Sequence, residues 1–170
     1  MNALLTEPDG DRYSWYQAPA EIKQLLQAAV DNWEDTAQSE HFILQALAHP
    51  QTDVDTLVSA YRYFFYKSKN AMARQLAMQV MEEIRQTEGL PQEWESLGPV
   101  LQARLSDPSI RLYLSAYTAL GMMLARWGAY QAAMEIAERV RSLDAKDEFG
   151  AGVLIHILNS QEEDDDFDEN

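Results

Sequence analysis

At 170 residues, with 46% hydrophobic content, seven Gly and six Pro, the chain has the size and make-up of one soluble domain with a sizeable core. Thirteen Lys and Arg against 28 Asp and Glu leave a formal charge of −15, which excludes general attraction to nucleic-acid phosphates or to an anionic membrane, so neither is expected as a partner. The absence of cysteine excludes disulfides, thiolate metal sites and a Cys nucleophile, and with no basic leader or long apolar run in the sequence a cytoplasmic protein is expected.

Residues 1 to 18 combine a turn signal at Pro8-Asp9-Gly10 with Tyr13, Trp15 and Tyr16 and hold no helical period. An extended arm is expected there, covering the end of the first helices or reaching a groove or a neighbouring subunit. From Pro19, the residues Ile22, Leu25, Leu26, Ala29, Val30 and Trp33 form one helical stripe, and Phe42, Ile43, Ala46 and Leu47 form a second, so a helix pair is predicted over about 19 to 49. Val54, Leu57, Tyr61, Phe64 and Phe65, then Ala73, Leu76, Ala77, Val80, Met81 and Ile84, predict another pair over about 53 to 87. Residues 90 to 107 read as an insert whose short helix, carrying Trp94 and Leu97, is expected to break at Gly98-Pro99. A third pair is predicted over about 109 to 143. A last helix over about 147 to 158, with Phe149, Val153, Leu154 and Ile157 inward, is expected to cap the array. The closing QEEDDDFDEN, residues 161 to 170, is too charged to pack and is expected to be disordered.

Sliding the chain by 56 positions lays Ser59 to Gly89 on Ser115 to Ala145 with nine identities in 31 places, which indicates an internal repeat. In this register Phe65 falls opposite Gly121. Within the third pair, Tyr117, Leu120, Gly121, Leu124, Ala133, Ala137 and Ala145 occupy spacings that resemble the tetratricopeptide repeat, a 34-residue unit of two helices with the pattern Trp-x2-Leu-Gly-x2-Tyr, Ala-x3-Phe and a closing Pro. Leu120, Gly121 and Ala133 are identical to that pattern, while Ala137 and Ala145 depart from it. The resemblance covers residues 115 to 146, and more weakly 59 to 89 and 19 to 50. It implies an all-α fold: a TPR-like superhelix of helical hairpins with a C-terminal capping helix, in which residues 19 to 160 make a single domain. Gly121 would then sit where the two helices of its hairpin approach most closely.

His41, His49 and His156 are not spaced as a helical metal pair, and Glu40 and His41 diverge as helix neighbours, so neither a metal site nor an acid-base pair is expected. No phosphate loop, nucleophile elbow or nucleotide fingerprint is present; no catalytic residue and no cofactor are expected. The distinctive signal is charge. Between Thr56 and Met81 there is no Asp or Glu, while Arg62, Lys67, Lys69 and Arg74 lie there among Tyr61, Tyr63, Phe64, Phe65 and Tyr66. With Tyr61, Phe64 and Phe65 inward, Arg62, Tyr63, Tyr66, Lys69 and Asn70 would face solvent or a groove.

Members of the tetratricopeptide family bind extended partner segments along the first helices of their hairpins. The resemblance therefore implies a groove lined by Arg62, Tyr66, Lys69 and Asn70 in one unit and Met122 and Arg126 in the next. Lys and Arg give charge-assisted hydrogen bonds to an anion, and tyrosines supply stacking area. The expected function is a non-catalytic adaptor or chaperone-like module for a protein or peptide partner, an acidic or C-terminal segment by its chemistry. The alternative is a self-assembling structural module, a homodimer in its simplest form, with an enzyme as the third reading.

Overall fold

Local signals start and stop the helices that the apolar periods foretell. The computed structural model describes the backbone of residues 18–168 and the side chains of residues 18–161. The fold is all-α: among these residues there are eight helices and no strand. They are α1 (Ala20–Asp31), α2 (Thr36–Ala48), α3 (Val54–Tyr66), α4 (Asn70–Glu88), α5 (Trp94–Ala103), α6 (Pro108–Arg126), α7 (Tyr130–Leu143) and α8 (Ala151–Asp168). Apart from the buried Ala18, the arm expected over 1 to 18 lies outside the described residues.

Asp35 and Asp53 cap α2 and α3, each accepting a backbone N–H three residues on, from Gln38 and Thr56, at 3.1 Å. Pro108 opens α6 at a position where its missing N–H costs nothing. Two turns share one design. After α3 the Ser68 N–H reaches Phe65 O at 3.1 Å and the Lys69 N–H reaches Phe64 O at 2.9 Å; after α6 Gly128 and Ala129 reach Ala125 O and Leu124 O at 3.0 and 2.9 Å. This is the Schellman arrangement, which needs a left-handed residue: Gly128 takes φ 80° at no cost, and Ser68 takes φ 58° against the preference of a residue with a Cβ.

The second helix of each pair buries the same stripe. Ser39, Ile43 and Ala46 of α2, Ala73, Ala77 and Val80 of α4, and Ala133, Ala137 and Val140 of α7 are all at 0% exposure. From α2 to α4 the stripe recurs after 34 residues, and from α4 to α7 after 60, the difference being the insert that holds α5. The 56-residue register is thus corrected by four positions. One helical turn is 3.6 residues, so a slip of four keeps every residue close to its face, and periodicity cannot tell the two registers apart. In the 60-residue register Gly121 is matched by Tyr61, and Phe65 no longer stands at the glycine place.

Close contacts divide the chain into two compact units, up to Val80 and from Met81, the division falling within α4. Stacked helices make mostly local contacts, so a division of this kind is natural to them. In the first unit, α1 lays Ile22, Leu26 and Ala29 on α2, where the Ser39 hydroxyl donates to Ala29 O at 2.7 Å. α3 packs on α2 and buries Leu57, Val58, Ala60, Tyr61, Tyr63 and Phe64.

In the second unit α6, α7 and α8 pack on one another, and α5 also contacts α7. Gly121 of α6 stands where the approach is closest: an added Cβ would lie 2.7 Å from Leu154 Cδ2 and 3.2 Å from Ile136 Cγ2. Pro99 does not break the insert helix but sits inside α5. A proline there costs about 3 kcal/mol, and the buried Leu97 and Leu101 offset it at about 1.5 to 3 kcal/mol each.

The last helix also departs from expectation. Asp147 and Gly150 take left-handed backbone, at φ 54° and 80°, which defers its start to Ala151, and the Asp147 carboxylate accepts the Gly152 N–H at 2.9 Å. Its buried stripe is Ala151, Leu154 and Leu158, so Val153 and Ile157 point outward at 56% and 39% exposure instead of inward. The helix then continues to Asp168, through most of the segment expected to be disordered; once a helix is nucleated, each further residue adds a hydrogen bond at small cost.

Candidate partner-binding site

In the first unit the site grows from the end of α3 and the turn into α4. Tyr66 is the last residue of α3 and stands 64% exposed, its ring edge-on to Phe65 with centroids 5.5 Å apart. Two residues later Ser68 reverses the chain, which brings Lys69 and Asn70 to the first turn of α4. Around them Glu40, Phe64, Lys69, Asn70, Ala71, Met72 and Gln75 line a cavity of about 390 Å³. Its walls mix one cation, one anion and two amides with Phe64 and Met72, a set able to hold a backbone by its amides while an apolar side chain rests on the floor.

Two of the cations on this stretch already have work inside the unit. Lys69 Nζ pairs with the Glu40 carboxylate of α2, both side chains being only partly exposed. Lys67 Nζ lies 4.1 Å above the centre of the Trp33 indole and donates to Trp33 O at 2.5 Å and to Thr36 Oγ1 at 3.3 Å. It therefore clips the α1–α2 turn, through a cation–π contact and two hydrogen bonds, to the end of α3. Arg62 is half-buried and engaged with other groups, as Arg74 and Asn70 are.

Tyr63, expected toward solvent or a groove, is instead at 0% exposure. Its ring meets Trp33 and Phe64 edge-on at 5.6 and 5.2 Å, which is why one helix can bury more aromatics than a single stripe allows: Trp33, in the turn after α1, covers the extra one. Its hydroxyl is enclosed without a hydrogen bond of acceptable geometry, although Ser39, whose own proton goes to Ala29 O, is beside it. Burial pushes the Tyr63 phenol above its ordinary range.

The second unit holds the other two sequence-chosen residues. In the 60-residue register Met122 answers to Arg62 and Arg126 to Tyr66, so they occupy equivalent places on the first helices of two pairs. Met122 is half-buried and packs on the cluster of Ala133, Ala137, Leu154 and Leu158. Arg126 is exposed at the end of α6 and engaged with other groups.

Sequence reasoning passed over a second cluster. Arg139 of α7 stacks 5.1 Å from the Trp94 ring of α5, donates to the Tyr117 hydroxyl at 3.1 Å, and pairs with Glu135. Tyr113, 6.2 Å from Tyr117, has its phenol pushed up to about 12 by burial. The insert is further tied at its far end, where Arg104 pairs with Glu88 and with Asp107 at 2.6 Å, and Ser109 donates to Glu88 at 2.7 Å; these bonds hold the Glu88 carboxyl below its usual range. The available signal was the lone Trp94 in an otherwise short insert.

On the α1–α2 hairpin, Leu25, Ala28, Phe42 and Ala48 floor a shallow groove of about 580 Å³, across which Glu21 meets His49 at 2.7 Å. The Gln51 N–H donates to His49 Nδ1 at 3.1 Å, so Nε2 is the nitrogen that donates to Glu21. Among the described residues no three His, Asp or Glu side chains are grouped to hold a metal, and no helix is long and apolar enough to cross a membrane. No family model and no solved structure matches the chain. It is similar to a protein of Azotobacter chroococcum mcd 1 described as an uncharacterized 19.8 kDa protein in the nifW 5′ region, 28% identical over 141 residues that span 81% of this chain and 78% of that one.

Proposed function

We propose that the chain is a non-catalytic interaction protein, built of tetratricopeptide-like hairpins, that holds an extended acidic or C-terminal segment of a partner at the α3–α4 turn. The buried stripe that recurs at 34 and 60 residues supports the repeat reading. The observation that carries the binding reading is the cavity at the start of α4, with Lys69, Asn70 and Gln75 around a floor of Phe64 and Met72 and the exposed Tyr66 close by in the chain. A partner carboxylate competes there with Glu40 for Lys69, exchanging one ion pair for another, while Asn70 and Gln75 hold the partner backbone and Tyr66 covers it. Such an exchange favours selectivity over raw affinity, since the charge on Lys69 is compensated before and after binding.

The test is to titrate the protein with a synthetic acidic peptide ending in a carboxylate. The expected result is saturable binding that weakens by more than about tenfold, or 1.4 kcal/mol, when Arg62→Glu is combined with Lys69→Glu, with helical content unchanged. A Lys69→Met variant removes the cation without adding repulsion and should weaken binding less than the double reversal. Equal affinity in all three proteins rejects the site. Concentration-dependent light scattering that reports a tight dimer in the absence of peptide favours the self-assembling module instead.

A further inference from the structure

The segment from Phe149 to Gln161, FGAGVLIHILNSQ, holds no Asp, Glu, Lys or Arg, in a chain that carries 13 Lys and Arg and 28 Asp and Glu. It is followed at once by seven acids between Glu162 and Glu169. The backbone of α8 runs through both, from Ala151 to Asp168. One side of this helix is accounted for: Ala151, Leu154 and Leu158 are buried, and Leu154 and Leu158 pack with Ala133 and Ala137 of α7. On the other side Val153, His156, Ile157 and Ser160 follow one another at the i, i+3, i+4, i+7 spacing of a helical contact face, with Val153 and Ile157 at 56% and 39% exposure.

Within the second unit α8 packs on α7 and, less extensively, on α6. An uncharged face with two outward aliphatic side chains is unusual for a solvated helix in so acidic a chain. We propose that this outer face of α8 docks a basic amphipathic helix of a partner protein. The occupant is a helix because the spacing of Val153, Ile157 and Ser160 offers ridges that another helix interleaves, continuing the packing of α7 on α8 by one layer. It is basic because the same helix leads directly into the run of acids. Glu138 of α7 adds to this field, beside the Tyr130, Met134 and Leu158 cleft of about 260 Å³ next to α8. A second copy of this chain fits less well, since it would bring another seven acids and another formal charge of −15 to the same place. No residue of this face lines the cavity at the start of α4, so each proposal can fail without the other.

The probe is a synthetic amphipathic peptide of Leu and Lys in helical period, labelled for fluorescence anisotropy and titrated with the full chain. Its counterpart of Leu and Glu in the same pattern is the control. The Leu/Lys peptide is expected to bind, tightening as ionic strength falls below physiological, and the Leu/Glu peptide to bind at least about tenfold more weakly. Val153→Ser with Ile157→Ser, at positions whose exposure makes the fold insensitive to them, should weaken the Leu/Lys peptide by about tenfold or more with unchanged circular dichroism. Truncation after Gln161 should lower affinity and remove most of the salt dependence. Undiminished binding by the double variant would show attraction to acidic surface in general and overturn the proposal. So would a dimer, seen by sedimentation equilibrium, that the same two substitutions dissolve, since the occupant would then be a second copy.

Discussion

Gly121 offers the sharpest test of how the second unit is packed. A Cβ at this position would lie 2.7 Å from Leu154 Cδ2, inside any real contact distance, and 3.2 and 3.5 Å from Cγ2 and Cβ of Ile136. Leu154 is at 0% exposure among Ala133, Ala137 and Leu158, so its methyl can yield only by disturbing a filled cluster. Overpacking of this kind costs about 1 to 3 kcal/mol. For Gly121→Ala the helix gains about 0.5 to 1 kcal/mol from the loss of glycine flexibility, leaving a net destabilisation of about 0 to 2.5 kcal/mol. Gly121→Leu adds three more carbons to the same space and should lose about 3 kcal/mol or more. Urea unfolding followed by circular dichroism measures both. The double variant Gly121→Ala/Leu154→Ala identifies the cause: Leu154→Ala alone should cost about 2 to 5 kcal/mol, and the two changes together should cost about 1 kcal/mol less than their sum, because the clashing methyl is gone. Wild-type stability in Gly121→Leu, or strict additivity in the double variant, would refute the packing described.

Tyr63→Phe removes a buried hydroxyl that has no hydrogen bond, and should leave stability unchanged or raise it by up to about 1 kcal/mol; a loss greater than that in urea unfolding would mean that the hydroxyl is bonded to Ser39. Because the Tyr113 phenol titrates at about 12 when folded and near 10 when unfolded, its contribution to stability is complete below pH 10 and is lost as pH rises toward 12. Ultraviolet titration of the phenols should show Tyr63 and Tyr113 ionising late, with one of these late steps disappearing in Tyr113→Phe. Glu82 shows the opposite sign: hydrogen bonds from Arg85 and Gln86 hold its carboxyl at about 2, so what it contributes is present above pH 4.5 and lost as pH falls toward 2. Glu82→Gln should flatten the acid limb of stability between those values. Pro99→Ala restores a helical N–H to α5 at an exposed position, worth about 3 kcal/mol, but makes the unfolded chain more flexible by about 0.4 to 1 kcal/mol, so a net gain of about 2 to 2.5 kcal/mol is expected from thermal unfolding.

Much of this fold is legible in the apolar periods, since helix faces follow from spacing alone. The stripes at Ile43 and Ala46, at Ala73, Ala77 and Val80, and at Ala133, Ala137 and Val140 can be read directly. What periodicity cannot carry is register, because a slip of four residues nearly restores the same face. The misplacement of Phe65 opposite Gly121 follows from that, and so does the rotation of α8 by one residue, where two adjacent aliphatic pairs, Val153/Ile157 and Leu154/Leu158, compete for the inside. Gly121 favours the second pair, because its missing Cβ leaves the space that Leu154 Cδ2 fills. The candidate site was legible in part. The run of cations and aromatics between Arg62 and Arg74 marks the right segment, but the burial of Tyr63 depends on Trp33 thirty residues earlier, and the commitments of Lys67 and Lys69 depend on Trp33, Thr36 and Glu40. Such pairings are made by tertiary proximity, which one helix read in isolation does not contain.

We propose the first turn of α4, with Tyr66 before it, as the place where a partner segment is held. Chemical-shift mapping by nuclear magnetic resonance tests it most directly, using isotope-labelled protein titrated with an acidic peptide that ends in a carboxylate and with the same peptide amidated at its C-terminus. The expected result is a set of saturable shifts at Tyr66, Lys69, Asn70, Met72 and Gln75, with Glu40 shifting as its ion pair with Lys69 is exchanged, and weaker shifts for the amidated peptide. Saturable binding whose shifts fall elsewhere and leave Glu40, Lys69 and Asn70 unmoved would contradict it.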